Sequence, residues 1–209
     1  METGQKSQPQ TFDLVAGNVC LDFINTLDDR FSDHPKELLA TYGDLVRFGV
    51  ESRVIGSKQA SQVVRRAHAA KDQGRAVLRK AIKLREALHG VFSAVAGHRR
   101  AEARSLSALN EFIQESAAHT RLVEKSESFQ WQMDSTSSLE TVVWAIARAA
   151  GELLASAQLQ YVRMCSSPTC RWFFLDTSKG HQRRWCDMKL CGNREKARKF
   201  YKKRKNESA

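Results

Sequence analysis

Apolar residues recur along the chain at two spacings, and the places where the spacing changes divide it into elements. Leu14-Val15-Ala16-Gly17 opens the first apolar stretch, and Val19 to Leu27 mixes apolar side chains with Asp22, Asn25 and Thr26. Pro35 stands where a helix can begin, with Leu38, Leu39, Tyr42, Leu45, Val46 and Phe48 following at helical spacing. A short helix is predicted over 57–70. Asp72 can cap a longer one, with Val77, Ala81, Leu84, Leu88, Val91 and Val95 along one face. Leu106, Leu109, Phe112 and Ile113 mark another helix that ends near His119. The period then changes. Residues 121–124 and 128–133 alternate with period two and predict a hairpin joined through Lys125 to Glu127. Ser137 or Ser138 can cap the last helix of this region, whose stripe is Leu139, Val142, Val143, Ile146, Ala149, Leu153 and Leu154. The expected body is mainly α with a small β hairpin, an α+β arrangement over residues 11–160, followed by a separate module over 161–209. No internal repeat is present.

Composition changes this picture little, but the distribution of charge changes it a great deal. The chain has 209 residues, is 42% hydrophobic and carries a formal net charge of +11, which suits a packed body plus a small module. Residues 161–209 hold 14 Lys/Arg against 4 Asp/Glu, a net of +10, so the first 160 residues are almost neutral. A cationic appendage on a neutral body points to a polyanionic partner. No stretch approaches the roughly 18 uncharged apolar residues of a membrane span. Met1 to Gln10 is polar, without the apolar core of a secretory signal. A soluble, cytoplasmic protein with no membrane partner is expected.

The cysteines divide at the same point. Cys20 stands alone between Val19 and Leu21 and reads as a small buried hydrophobe. Cys165, Cys170, Cys186 and Cys191 form C-x4-C, a 15-residue interval, and C-x4-C. Two matched thiol pairs in a cytosolic chain read as one structural Zn2+ site before they read as disulfides, because four thiolates close the metal's tetrahedron. A redox dithiol pair is the competing reading, since thiols beside Arg and Lys have lowered pKa. His181 is a spare ligand that the tetrahedron does not need. The interval predicts a hairpin: 171–175 out, a turn at Thr177-Ser178-Lys179-Gly180, and 181–185 back. Gly192 and Asn193 then break the turn and a helix runs from about Arg194. That order of knuckle, hairpin, knuckle and helix is treble-clef-like. The module is expected to dock on the last helix of the body.

The terminal helix carries two faces. Ala197, Phe200 and Tyr201 can cover the metal knuckle, while Arg194, Arg198, Lys202 and Lys205, flanked by Lys196, Lys199 and Lys203, form a cationic one. Lysines late in the helix suit phosphates, which position a protein without reading sequence. Arg171, Arg183, Arg184 and Arg194 sit on or beside the metal scaffold, where guanidinium forks are better placed for base edges. Arg194 can equally serve structure by capping carbonyls.

Cys186-x4-Cys191-Gly192-Asn193-Arg194, preceded by Phe174-Leu175-Asp176-Thr177-Ser178 and Arg183-Arg184-Trp185, resembles the CGNR zinc finger. Gly17-Asn18-x-Cys20-Leu21-Asp22-Phe23-Ile24-Asn25-Thr26-Leu27 and Glu37-Leu38-Leu39-Ala40-x-Tyr42-x-Asp44-Leu45-Val46 resemble the ABATE domain that usually precedes that finger. Phe48 departs from the pattern, where tryptophan is expected. The resemblance implies a bacterial transcription regulator, often described as stress-induced, whose four cysteines ligate zinc and whose zinc module binds DNA. It also implies that the body senses a small molecule or mediates dimerisation. Asp22, Asn25 and Thr26, polar among apolar neighbours, can face an effector pocket or serve as caps and turns.

Duplex DNA is therefore the expected partner, bound by a homodimer at the nucleoid. RNA is the alternative, with Trp172, Phe173, Phe174 and Trp185 as stacking surfaces if they are not core. A third reading is an adaptor whose helix docks an acidic protein. An enzyme is not expected. The chain lacks GxGxxG, P-loop, HExxH and nucleophile-elbow motifs, and His34, His68, His89, His98 and His119 are scattered without ligand spacing.

Overall fold

A short helix that is apolar on nearly every side lies at the centre. In the computed structural model, which describes residues 11–133 and 138–207 (backbone alone for 202, 203 and 205–207), α1 (Val19–Ile24) buries Cys20, Leu21, Asp22, Phe23 and Ile24. Six residues are too few to be stable alone, so α1 exists because the rest of the chain surrounds it. Asn18 caps it by accepting from the Cys20 N–H. Cys20 is fully buried, as its neighbours predict, and burial pushes its thiol pKa up.

The next two elements correct the expected helix start at Pro35. Two-residue strands β1 (Leu27–Asp28) and β2 (Lys36–Glu37) pair antiparallel, and α2 (Tyr42–Glu51) begins only after Thr41. Thr41 and Asp44 form a reciprocal capping box, which satisfies two backbone N–H groups that Pro35 offers no means to satisfy. Leu38 and Leu39 therefore lie in the loop between β2 and α2. Phe48 is fully buried beneath Phe12 and Phe23, ring centroids 5.3 and 5.4 Å away, so phenylalanine fills the site where tryptophan is expected.

Helices α3 (Ser57–Ala69), α4 (Lys71–Ala96) and α5 (Ala103–Ala118) follow. Asp72 does not cap α4. The chain turns at Ala70, placing Asp72 inside the first turn, where its charge favours the helix dipole. Strands β3 (Thr120–Lys125) and β4 (Ser128–Met133) form the predicted hairpin, turning at Ser126 with φ +56°. Helix α6 (Thr141–Leu154) starts after Glu140; of the two serines expected as caps, Ser138 instead accepts the Glu140 N–H and Ser137 lies outside the described residues. Lys80 of α4 reaches both Glu115 of α5 (2.5 Å) and Glu140 (2.8 Å), tying three helices at their rim.

After α6 a 3-10 turn (Ala157–Tyr161) leads into β5 (Val162–Met164), which pairs antiparallel with β6 (Phe173–Leu175). This corrects the predicted hairpin. The strand at 173–175 pairs with the chain before the first cysteine, and 181–185 returns as irregular chain. A wide helical turn (Met188–Gly192) then runs without a break into α7 (Asn193–Glu207); Asn193 itself has helical backbone angles. The module docks on α1 and α4 rather than on the last helix of the body. One hydrophobic core runs from Phe12 through α1, α4 and α6 into Phe173, Phe174 and all four cysteines of the module. Among the described residues no helix is long and apolar enough to cross a membrane.

Candidate metal centre and its cationic rim

Four thiols converge where the sequence spacing places them. Cys165, Cys170, Cys186 and Cys191 are all buried, and their sulfurs lie within 4.8 Å of one another. The Cys170–Cys186 and Cys186–Cys191 Sγ separations are 3.6 and 3.7 Å. A tetrahedral ion with metal–sulfur bonds of about 2.3 Å requires sulfurs about 3.8 Å apart, so the quartet fits one zinc ion. When bound, the ion cross-links the two knuckles, and four thiolates leave it no open coordination position.

Local chemistry builds each knuckle. The Cys165 N–H donates to the Trp172 carbonyl (2.8 Å), closing the β5–β6 hairpin around the first loop. Cys170 and Arg171 both donate to the Ser167 carbonyl, and Arg171 takes a left-handed backbone, φ +60°. The Ser166 N–H reaches the Arg184 carbonyl (2.8 Å) and brings the second knuckle beside the first. Asp176 gathers the chain between them: its carboxylate accepts from the Ser178 N–H and Oγ and from the Arg183 N–H, all within 3.1 Å. Within 181–185 it takes the Arg183 N–H, a donor that a second strand would need. Hydrogen bonds from the Cys170 and Cys186 thiols, with N–H groups of Cys186 and Ser167, hold the Cys165 thiol well below its ordinary pKa; the same bond raises Cys170. N–H donors aimed at sulfur are the outer support that metal thiolates use.

The module is fastened to the body by polar groups that the sequence marks only as polar. The Asn25 amide donates to the Phe173 carbonyl (2.9 Å) and accepts the Phe173 N–H (3.0 Å), pairing side chain to strand as a neighbouring strand would. The Leu175 N–H donates to the Ala16 carbonyl (2.7 Å), and Gly17, at φ +77°, lets the chain lie against Leu175. The Trp172 indole N–H donates to Asp28 (2.9 Å). Thr26 donates to the Phe23 carbonyl and accepts from Arg85. Asp22 accepts the Ala16 N–H (2.9 Å). Asp22, Asn25 and Thr26 thus have partners inside the core, consistent with the capping and fastening roles that their setting allows.

Two groups at this junction titrate in opposite senses. Burial pushes Asp22 up to about 6, the Ala16 N–H offsetting only part, so the folded state holds its proton more tightly than the unfolded chain. Its contribution to stability is complete below pH 4 and is lost as pH rises through 6. His89, packed edge-on against Phe173 (5.6 Å), is driven down to about 4 by burial and by Arg30; its contribution is present above its unfolded value near 6.5 and lost as pH falls through 4. Asp22→Asn keeps an acceptor for Ala16 and removes the first effect. It is expected to stabilise the protein at pH 7.5 by on the order of 2 kcal/mol and to match the parent at pH 4. Thermal melts at both values check this, and an equal difference at the two pH values refutes it.

The predicted nucleic-acid residues are placed unequally. Arg171, Arg184, Arg194, Lys196 and Lys199 are exposed around the metal centre. Arg198 is half tied, bridging Glu195 (2.8 Å) and reaching Thr169. Arg183 turns inward, its guanidinium donating to the Cys186 carbonyl and lying over the Phe174 ring at 4.9 Å. The side chains of Lys202, Lys203 and Lys205 lie outside the described residues. Phe200 and Tyr201 are 58% and 69% exposed, so they do not cover the knuckle. Helix α7 touches it only through its first turns, where Glu195 accepts from buried Ser167 (2.8 Å). The described acids of the module are all engaged: Asp176 is buried, Asp187 accepts the Leu190 N–H, and Glu195 holds Ser167 and Arg198.

Residues 17–157 match the family described as ABATE, "Putative stress-induced transcription regulator", and residues 161–204 match the CGNR zinc finger. No curated protein matches the chain.

Proposed function

Because the chain belongs to the ABATE family and carries a CGNR zinc finger, we propose that it is a transcription regulator that binds duplex DNA through the cationic rim of that finger. The observation that carries the reading is the one-sided use of charge. The module's described carboxylates are spent on internal hydrogen bonds, while Arg171, Arg184, Arg194, Lys196 and Lys199 project from a scaffold that four ligands hold rigid. Even with about −2 from a zinc tetrathiolate, the rim remains strongly positive. Lysines and arginines so arranged release counterions from DNA and bind it with a steep salt dependence.

The aromatic side chains favour DNA over RNA. Phe173 and Phe174 are buried, and Trp172 spends its N–H on Asp28, so the stacking platform of the RNA alternative is occupied by the core. The reading assigns the metal a structural role and no catalysis. It places the protein in the cytoplasm, at the nucleoid when bound, and as a homodimer. The dimer rests on the β3–β4 hairpin, where Leu122, Phe129 and Trp131 share one face and are each more than half exposed.

Selection from random duplex DNA, with and without a zinc chelator, tests this reading. A motif enriched only with metal present is expected, two-fold symmetric if the dimer is correct. Affinity is expected to fall with salt at a log–log slope of roughly −4, about −0.9 per phosphate contacted. Binding that is undetectable, or unchanged between low and high salt, overturns the reading.

A further inference from the structure

Part of the zinc module's cationic rim faces the body rather than open solvent. A cleft of about 480 Å³ runs between it and the body, lined on the module side by Pro168, Thr169, Cys170, Arg171, Arg194 and Arg198. On the body side it is lined by Asp29, Phe31 and Ser32, from the loop that joins β1 to β2. Arg171, Arg194 and Arg198 line it against the carboxylate of Asp29, with Glu195 bound to Arg198 and Cys170 part of the metal centre, so the cleft offers guanidinium donors rather than a large net charge.

The loop is held in place from both sides. Asp28 accepts the Trp172 indole N–H from the finger (2.9 Å) and the N–H of Asp29 (2.8 Å). Arg30 makes two bonds to Glu86 of α4 (2.5 and 3.1 Å). The Ser32 N–H donates to the Asp29 carbonyl (2.8 Å), and Ser32 Oγ accepts the His34 N–H (3.2 Å). Asp29 takes φ +46°, the left-handed region that Asp tolerates in turns. At the tip of this braced loop Phe31 is 62% exposed. One part of its ring meets His89 of α4 (centroids 6.0 Å apart) and the rest is left in water beside three arginines, an arrangement suited to a base and its phosphates.

From this arrangement we infer that the DNA interface crosses the cleft onto the body: Phe31 packs against an unstacked or minor-groove base while Arg171, Arg194 and Arg198 hold the adjoining phosphates. The inference rests on the DNA reading above and adds a non-ionic contact from outside the finger. Arg198 enters the cleft already oriented by Glu195 and Thr169. Pre-set groups lose little freedom on binding.

Phe31→Ala and Phe31→Trp in the full-length, zinc-loaded protein test it, beside Arg194→Gln. The probe is the enriched duplex, or a fixed 20-base-pair duplex if no motif emerges. Phe31→Ala is expected to weaken binding by about tenfold, within the range of one lost aromatic–base contact, with the salt slope unchanged because no charge is removed. Phe31→Trp is expected to restore affinity to within about twofold. Arg194→Gln is expected to lower the slope by about one. Melting temperatures of all variants, matched to the parent, show that the fold is kept. If Phe31→Ala binds within twofold of the parent while Arg194→Gln still lowers the slope, the cleft contact is wrong and the DNA reading stands. If the parent itself shows no salt-dependent binding, the DNA reading falls and takes this inference with it. If free mononucleotide at millimolar concentration protects the added indole of Phe31→Trp from quenching, measured against the parent, but duplex does not, the cleft serves a small ligand and the inference is overturned.

Discussion

Removing the metal is expected to unfold more than the finger. The purified chain should contain one zinc per molecule by elemental analysis, and a strong chelator should lower its melting temperature by more than 10 °C. The binding free energy of a structural zinc site is roughly 10–16 kcal/mol, comparable to the whole stability of a domain. Here that energy is not confined to the module, because β6 completes the core around α1. When the knuckles separate, the Phe173 backbone leaves Asn25, the Leu175 N–H leaves the Ala16 carbonyl, and α1 loses the wall against which it packs. Cys191→Ser should reproduce the chelator's effect, and far- and near-ultraviolet circular dichroism should both change. A zinc-free protein with the parent's melting temperature and an ordered finger would refute the four-thiolate reading. Disulfides found in its place would instead support the redox alternative.

Arg85→Ala is expected to destabilise the chain by about 2–3 kcal/mol, the range for losing charge-assisted hydrogen bonds from a buried side chain whose acidic partner Glu37 remains 35% exposed to water. Arg85 is only 2% exposed. Its guanidinium grips both carboxylate oxygens of Glu37 (2.7 and 2.5 Å), bonds Thr26 (3.2 Å), and reaches Glu86 (3.2 Å), which in turn holds Arg30. This chain of charges pins the β1–β2 segment to α4, and with it the loop that faces the finger. Truncating Arg85 empties a buried site and takes the donor from Thr26 Oγ1, whereas long apolar side chains refill the space. Arg85→Met with Glu37→Met should therefore recover at least half of the loss in urea denaturation. A single-mutant effect below 1 kcal/mol would show that the network is solvated and contributes little.

Both arguments depend on partners that no local pattern displays, and this is where sequence reading stops. The metal ligands were legible because C-x4-C is a local geometric device: two thiols one tight turn apart reach one ion whatever surrounds them. The hairpin at 120–133 and helices α3 to α6 were legible because their apolar periods are strong and long. The start of α2 was misplaced because Pro35 and the leucines after it imitate a helix, while the decisive signal was the Thr41–Asp44 pair. Arg85 had a faint signal. It lies four residues after Ala81 and three before Leu88, on the apolar face of α4, where a charge demands a buried partner.

Strand pairing at 173–175 was misassigned for a different reason. Segments 162–164 and 181–185 both flank the same cysteines, and Asp176 takes the Arg183 N–H of the later one. The role of Asn25 was beyond reach altogether, since its partner is 148 residues away. What the sequence alone determined is therefore the set of elements, the sulfur quartet and the concentration of positive charge at one end, each a property of spacing or composition. Only the tertiary structure decided that finger and body share one core, that the polar residues of α1 fasten the two together, and which arginines face outward. A buried polar group takes its meaning from the donor or acceptor opposite it, and that is set by which distant segments meet.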